Sequence, residues 1–161
     1  MDITIHEANL HDPLHIKDIL DLLNVYANDV MGGGKDLSQN VQRNLIPELQ
    51  KRSNTLILLA YDNNVAVGLA VCFEGFSTFY AKPLLNIHDF VVSGSHRGKG
   101  IAKLLLEKLE EIAVERACCK LTLEVLEGNK RAQQVYNAFG FDGYELDEKT
   151  GKALFWEKKL G

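Results

Sequence analysis

The sequence predicts an α/β fold built on one mixed sheet, and three observations carry that expectation. Apolar blocks of strand length recur at residues 54–61, 65–73, 86–92 and 120–125, and each reads as a strand. Between the last two, Ile101, Leu104, Leu105, Leu109, Ile112 and Ala113 recur at helical spacing, so that helix has one apolar face. A strand, a helix and a strand in succession require a parallel pair with a right-handed crossover. Asp62-Asn63-Asn64, between the first two blocks, is instead a hairpin signal, and a hairpin joins antiparallel neighbours. With 161 residues and a hydrophobic share of 46%, the chain fits one domain, 1–161, with a sizeable core.

The elements follow in order. Residues 3–7 form a short first strand. Pro13 suits the first turn of a helix, whose apolar stripe is Ile16, Ile19, Leu20, Leu23 and Tyr26. Residues 31–35, Met-Gly-Gly-Gly-Lys, must be a flexible connection, because successive glycines cost too much backbone entropy in a helix. A second helix begins after Ser38 and carries Val41, Leu45 and Leu49, with Pro47 expected to shorten or kink it. The hairpin 54–61 and 65–73 leads into a loop, 75–83. Its Phe76, Phe79 and Tyr80 either line a pocket or pack between strands. After strand 86–92 and the long helix comes strand 120–125, where Leu121, Leu123 and Val125 alternate with Lys120, Thr122 and Glu124. A helix over 129–139 stops at Gly140, a good residue just past a helix end. Residues 141–146 and 153–158 close the chain as a hairpin over a charged loop.

Composition excludes several function classes. A net charge of −4 gives no basic footprint for nucleic acid. No apolar run approaches the roughly 20 residues of a membrane helix. The N-terminus has neither a basic start nor an apolar signal core, so a cytoplasmic protein is expected. Cys118 and Cys119 are adjacent, a spacing that suits neither a zinc pair nor an unstrained bridge. Cys72 lies in an apolar run and reads as a small buried hydrophobe. The five histidines are scattered, and no metal is expected.

The run Arg97-Gly98-Lys99-Gly100-Ile101-Ala102 places two glycines where a strand turns into a helix. The first helical N–H groups have no intrahelical partner there, and the peptide dipoles converge with positive sign. Glycine lets another molecule approach that backbone, so the turn suits a phosphate or pyrophosphate. A mononucleotide loop would need Gly-x-x-x-x-Gly-Lys before Ser or Thr, and none occurs. A dinucleotide fingerprint would need a third glycine where Lys103 stands. Glu124 falls near the distance of that fingerprint's acidic residue, so the spacing weakens this reading without removing it. A turn that merely starts a helix is the plainer alternative.

Arg97, Gly100 and Ala102 resemble the acetyl-CoA signature of the GCN5-related N-acetyltransferases: Arg or Gln, two residues, Gly, one residue, Gly or Ala. A second block, Asn129-Lys130-Arg131-Ala132, Val135-Tyr136 and Phe139-Gly140-Phe141, matches the helix after that family's fifth strand. The resemblance covers roughly residues 54–158. It implies a mostly antiparallel sheet with one splayed parallel pair, helices on both faces, and a bulge in the strand ending at Val92. It also implies acetyl-CoA as co-substrate, with direct acetyl transfer to an amine and no covalent enzyme intermediate. Many relatives dimerise, so a homodimer is expected.

Such chemistry makes four demands. Pyrophosphate needs the backbone donors of Arg97, Gly98, Lys99, Gly100, Ile101 and Ala102, with Lys103 alongside. The amides of the pantetheine arm need an edge, expected at Phe90, Val91 and Val92, where an N–H would also stabilise the developing oxyanion. The departing thiolate needs a proton. Tyr136 matches the family's tyrosine and shares a helical stripe with Ala132, Val135 and Phe139, although a core tyrosine would look the same. Asn129 either caps its helix for local reasons, contacts the cofactor with Ala132, or does both. An alkyl ammonium needs a base, and His88 and Asp89 are the candidates. In polyamine and thialysine acetyltransferases a Glu-Asp pair stands here, so His88 replaces the glutamate; the alternative is a histidine packed beside the strand. Ser77-Thr78-Phe79 followed by Pro83 is a second similarity to that subgroup. A small primary amine, polyamine or amino-acid-like, is the expected acceptor. The alternatives are a peptide substrate on the same fold and a CoA-binding sensor without turnover.

Overall fold

The structure is a computed structural model that describes residues 2–160. Among the described residues five strands form one sheet in the order β1 (Ile3–Glu7), β2 (Thr55–Asp62), β3 (Val65–Ser77), β4 (Lys82–Val92), β5 (Leu121–Leu123). Neighbours through β4 are antiparallel, whereas β4 and β5 run parallel. The crossover between those two is α3 (Ile101–Glu115). With α4 (Lys130–Phe139) it covers one face of the sheet, burying Leu56, Leu58, Cys72, Leu85, Ile87, Leu105 and Leu109. On the other face, α1 (Pro13–Asn28) and α2 (Gln39–Gln50) bury Ile19, Leu22, Ile46, Leu49, Leu59, Leu69 and Val91. Covering both faces explains why β2 reads as an unbroken apolar run, with Leu56 to Tyr61 all buried.

The helix starts have local causes. Asp12 caps α1 by accepting from the Leu14 N–H at 2.8 Å, and Ser38 caps α2 by accepting from the Val41 N–H at 3.2 Å. Pro47 lies inside α2, which continues to Gln50; the expected shortening does not occur. Residues 31–35 take a definite course: a short 3₁₀ turn, Val30–Gly32, capped by Asp29, then Gly33 and Gly34 with left-handed φ of 111° and 70°. A Cβ on Gly32 would stand 1.9 Å from the Tyr26 carbonyl oxygen. Gly32→Ala should therefore lower the melting temperature by several degrees, from roughly 1–3 kcal/mol of overpacking. An unchanged calorimetric melt would show that the turn yields freely.

Three expectations are corrected. The segment 75–83 is a hairpin with a short turn, because β3 runs on to Ser77 and β4 starts at Lys82, with six residue pairs between the bulge and the turn. The fifth strand is confined to Leu121–Leu123 rather than 120–125. The closing hairpin of 141–146 and 153–158 does not form strands. Only a Glu145–Lys152 bridge is present, over a turn knotted by the Asp147 side chain. An apolar segment makes a strand only where a neighbour and a face to bury against exist, and Trp156, 83% exposed, has none.

Candidate functional site

The site is created by two irregularities at the C-terminal end of β4. Val71 pairs with Asp89 while the next residue, Cys72, pairs with Ile87, so His88 is an extra residue and forms a β-bulge. The bulge inverts the alternation: Leu85 and Ile87 before it, and Phe90 and Val92 after it, all pack toward α3 and α4. The second irregularity is the brevity of β5. It pairs with β4 only at Leu85, Asn86 and Ile87, so the strands separate beyond Ile87 and Phe90 to Val92 have no neighbour on that side.

A cleft of about 580 Å³ occupies this gap, within the range of small-molecule sites. Phe90, Val91, Val92, Arg97, Gly98, Gly100, Ile101, Ala102, Lys103, Asn129, Ala132 and Tyr136 all line it. Lys99 alone of the expected cofactor residues does not. The glycine turn uses the freedom that glycine permits, with φ of +79° at Gly98 and +83° at Gly100, and nothing lies within 4 Å of a Cβ built on either. The first bond into α3 is Leu104 N–H to Gly100 C=O at 3.1 Å. Among the described residues, the N–H groups of Ile101, Ala102 and Lys103 thus keep their donors free. No side chain caps α3, whereas side chains cap α1, α2 and α4. Gly68 lets this helix start sit tightly on β3: a Cβ there would meet Leu105, Ala60 and Ile101 at 3.1–3.2 Å.

Asn129 realises its capping alternative, accepting from the Ala132 N–H at 3.2 Å, and also lines the cleft. Tyr136 is buried between Phe90 and Phe141, edge-on to each at 6.0 and 5.8 Å. Its hydroxyl makes no hydrogen bond among the described residues. Burial, and then the nearby Tyr26, push its pKa up to about 12, so the phenol holds its proton at neutral pH.

His88 and Asp89 stand at the bulge but do not line the cleft. The His88 ring is exposed and lies edge-on to Phe73 at 5.5 Å. Asp89 is half-buried; desolvation raises its carboxyl above the usual range, and His88 opposes that rise. Its charge reaches Tyr26, whose phenol is raised by burial first and then by Asp89 and Asp29.

Tyr26, His96 and Arg131, to which the sequence gives no role in the site, also line the cleft, as do Asp29 and Met31. Tyr26 was read as core from its helical stripe, and a fold contact across the sheet end has no local signal. His96 anchors the turn before Arg97: its ring meets the hydroxyls of Ser93 and Ser95 at 3.1 and 2.9 Å and the Asp62 carboxylate at 3.3 Å. Cys72 is fully buried, its thiol pushed up to about 12 by burial, and Cys118 and Cys119 are unbridged. No His, Cys, Asp or Glu cluster fit for a metal occurs among the described residues.

Residues 19–141 match the model of the acetyltransferase (GNAT) family. The chain belongs to the GNAT family. This GNAT chain is 34% identical over 89 residues to thialysine N-epsilon-acetyltransferase of Bos taurus, covering 55% of the chain and 51% of that protein. It is 33% identical to streptothricin acetyltransferase of Streptomyces lavendulae, covering 59% and 48%. The chain thus spans about half the length of these curated relatives. Its fold matches that of AAC(6')-Iy in complex with the bisubstrate analog CoA-S-monomethyl-acetylneamine, with a TM-score of 0.74, 18% identity and coverage of 99% and 100%. No described helix of this GNAT chain is long and apolar enough to cross a membrane.

Proposed function

We propose that this chain transfers the acetyl group of acetyl-CoA directly to a primary amine of a small molecule, polyamine or amino-acid-like. The observation that carries the reading is one cleft uniting the uncapped start of α3, the unpaired end of β4 and Tyr136. Acetyl-CoA, when bound, brings an acetyl group activated as a thioester. The N–H groups from Gly98 to Lys103, with the cations of Lys103 and Arg131, hold the pyrophosphate. Backbone groups of Phe90 to Val92 pair with the pantetheine amides as an added strand would. An N–H of that segment stabilises the oxyanion that develops on the thioester carbonyl. Tyr136 gives its proton to the departing thiolate.

Asp89 or His88 takes the proton from the incoming ammonium. A carboxyl raised by burial becomes a base only as pH climbs through its elevated pKa, so an Asp89-dependent rate rises with pH across that window. Asp89→Asn should flatten this rise. His88→Ala should depress the rate most at neutral pH, and least where the amine is already neutral. A pH-independent loss in His88→Ala would assign the ring to its packing on Phe73.

The acceptor class draws support from the name of the thialysine relative, and an open groove for a peptide is the second reading. The deciding assay measures thiol release from acetyl-CoA at about pH 8, where more of an alkyl amine is neutral than at pH 7, across spermidine, lysine analogues, an aminoglycoside and N-terminal peptides. Turnover with the small amines alone supports the proposal. Turnover confined to peptides refutes the acceptor class, and binding without any turnover supports a sensor. A homodimer belongs to the same reading, and light scattering on the eluted protein tests it.

A further inference from the structure

We propose that Arg97 works as a strut rather than as a phosphate ligand, and that Asp29 is the positioning residue that holds it there. The inference rests on the acetyl-CoA reading given above. Arg97 is the first residue of the family signature, and a cation beside a phosphate turn invites the assumption that it meets the phosphate. Its guanidinium is engaged elsewhere. Nη2 donates to Asp29 Oδ2 at 2.9 Å, and Nε donates to the Val92 carbonyl at 3.1 Å. One side chain therefore ties the last residue of β4 to the end of α1, across 68 residues of sequence.

Asp29 is built into its surroundings on every side. Its N–H donates to the Tyr26 carbonyl at 3.0 Å, and its own carbonyl accepts from the N–H groups of Gly32 and Gly34 at 2.8 and 3.1 Å. Oδ1 accepts from the Met31 N–H at 3.0 Å, leaving Oδ2 for Arg97. The Met31 N–H and the Arg97 guanidinium together hold its carboxyl below the usual range, so it is an anion at neutral pH.

Charge decides between strut and ligand. Asp29 lines the same cleft as the glycine turn, so a pyrophosphate would share that cleft with a carboxylate. Neutralised by Arg97, the carboxylate is tolerable. Were Arg97 to swing toward the phosphate, Asp29 would be left facing a second anion in partly dehydrated surroundings, where like charges repel strongly. Arg131 and Lys103 also line the cleft and supply positive charge; the carboxylate paired with Lys103, that of Glu107 at 3.4 Å, is not part of the cleft lining, so drawing Lys103 to a phosphate leaves no anion facing it there. Arg97 immediately precedes Gly98, and Gly100 follows after Lys99; glycine backbones have little stiffness of their own. Fixing the Arg97 side chain at two points sets where that turn begins.

The test is calorimetric titration of acetyl-CoA into the wild type, Asp29→Asn, Asp29→Glu, Arg97→Lys, Arg97→Gln and the Asp29→Asn/Arg97→Gln double variant. A charged hydrogen bond of ordinary strength corresponds to about a tenfold loss of affinity. Asp29→Asn and Arg97→Gln should each show a loss of that size, and the double variant should be no weaker than either. Arg97→Lys should lose nearly as much as Arg97→Gln, because an ammonium cannot span two fixed acceptors. Asp29→Glu should recover part of the affinity. Tighter or unchanged binding in Asp29→Asn overturns the strut, as does full affinity in Arg97→Lys. Additive losses in the double variant overturn it too. If Asp29→Asn fails to fold, the contrast between Arg97→Lys and Arg97→Gln still decides. A wild type that binds no acetyl-CoA refutes the cleft reading itself, and the strut falls with it.

Discussion

Gly100→Asp should abolish acetyl-CoA binding, with an affinity loss of at least about a hundredfold read by calorimetry. The cause is charge rather than bulk, since a Cβ at this position meets nothing within 4 Å. A carboxylate at the uncapped start of α3 would sit where the pyrophosphate must lie. Two unit charges about 4 Å apart near a protein surface repel by about 4 kcal/mol, which exceeds a hundredfold in binding. The new side chain would also cap the free N–H groups itself and so compete for the same donors. Gly100→Ala separates the terms. Its φ of +83° is strained for alanine, at roughly 1–2 kcal/mol, so it should weaken binding about tenfold. Equal losses in the two variants would mean that backbone strain, not charge, governs the turn, and intact affinity in Gly100→Asp would refute the assigned phosphate site.

Tyr136→Phe should lower the maximal rate by about a hundredfold while keeping acetyl-CoA affinity, the usual range for one positioned proton donor. The two parts of the prediction come from different features. Affinity is kept because the ring's contacts with Phe90 and Phe141 survive loss of one oxygen. Rate falls because the thiolate leaves without its proton. With a pKa near 12, the phenol is protonated throughout the range in which the enzyme would be assayed. The deficit should therefore be uniform from about pH 6 to pH 9, unlike the pH-shaped losses expected of Asp89→Asn and His88→Ala. A variant with full turnover would reduce Tyr136 to a core residue.

How much of this was legible in the sequence divides along a physical line. Local chemistry was. The glycines at 98 and 100 permit a left-handed turn and a close approach to the backbone, Ser38 and Asn129 are caps by their own hydrogen bonding, and the apolar stripe of α3 is a matter of period. The cofactor residues followed because most lie on that one turn and the strand before it. What escaped depends on partners distant in sequence. The ends of 120–125 alternate correctly and 153–158 carries an apolar run from Ala153 to Trp156, yet strand formation needs a neighbour, which no local pattern supplies. Tyr26 and Asp29 reach the cleft only because α1 ends beside the bulge, and the engagement of Arg97 by Asp29 joins residues 68 positions apart. The bulge at His88 was expected by resemblance alone, since an extra residue in a strand leaves no compositional trace.

The separation of β4 from β5 has a thermodynamic consequence. Past Ile87 the sheet contains an interior edge, a row of amide groups that the fold leaves without a partner strand. Exposed edges are sites of adventitious pairing, and proteins commonly cover them. Here the edge opens into the cleft, which residues of α3 and α4 line as well. A ligand that binds the native state but not the unfolded one stabilises it by RT ln(1 + [L]/Kd), about 2.7 kcal/mol at a hundredfold excess over Kd. Under the proposed reading the co-substrate completes the sheet, and the folded population tracks its free concentration. Resistance of the C-terminal half to proteolysis would then rise and fall with the supply of acetyl-CoA.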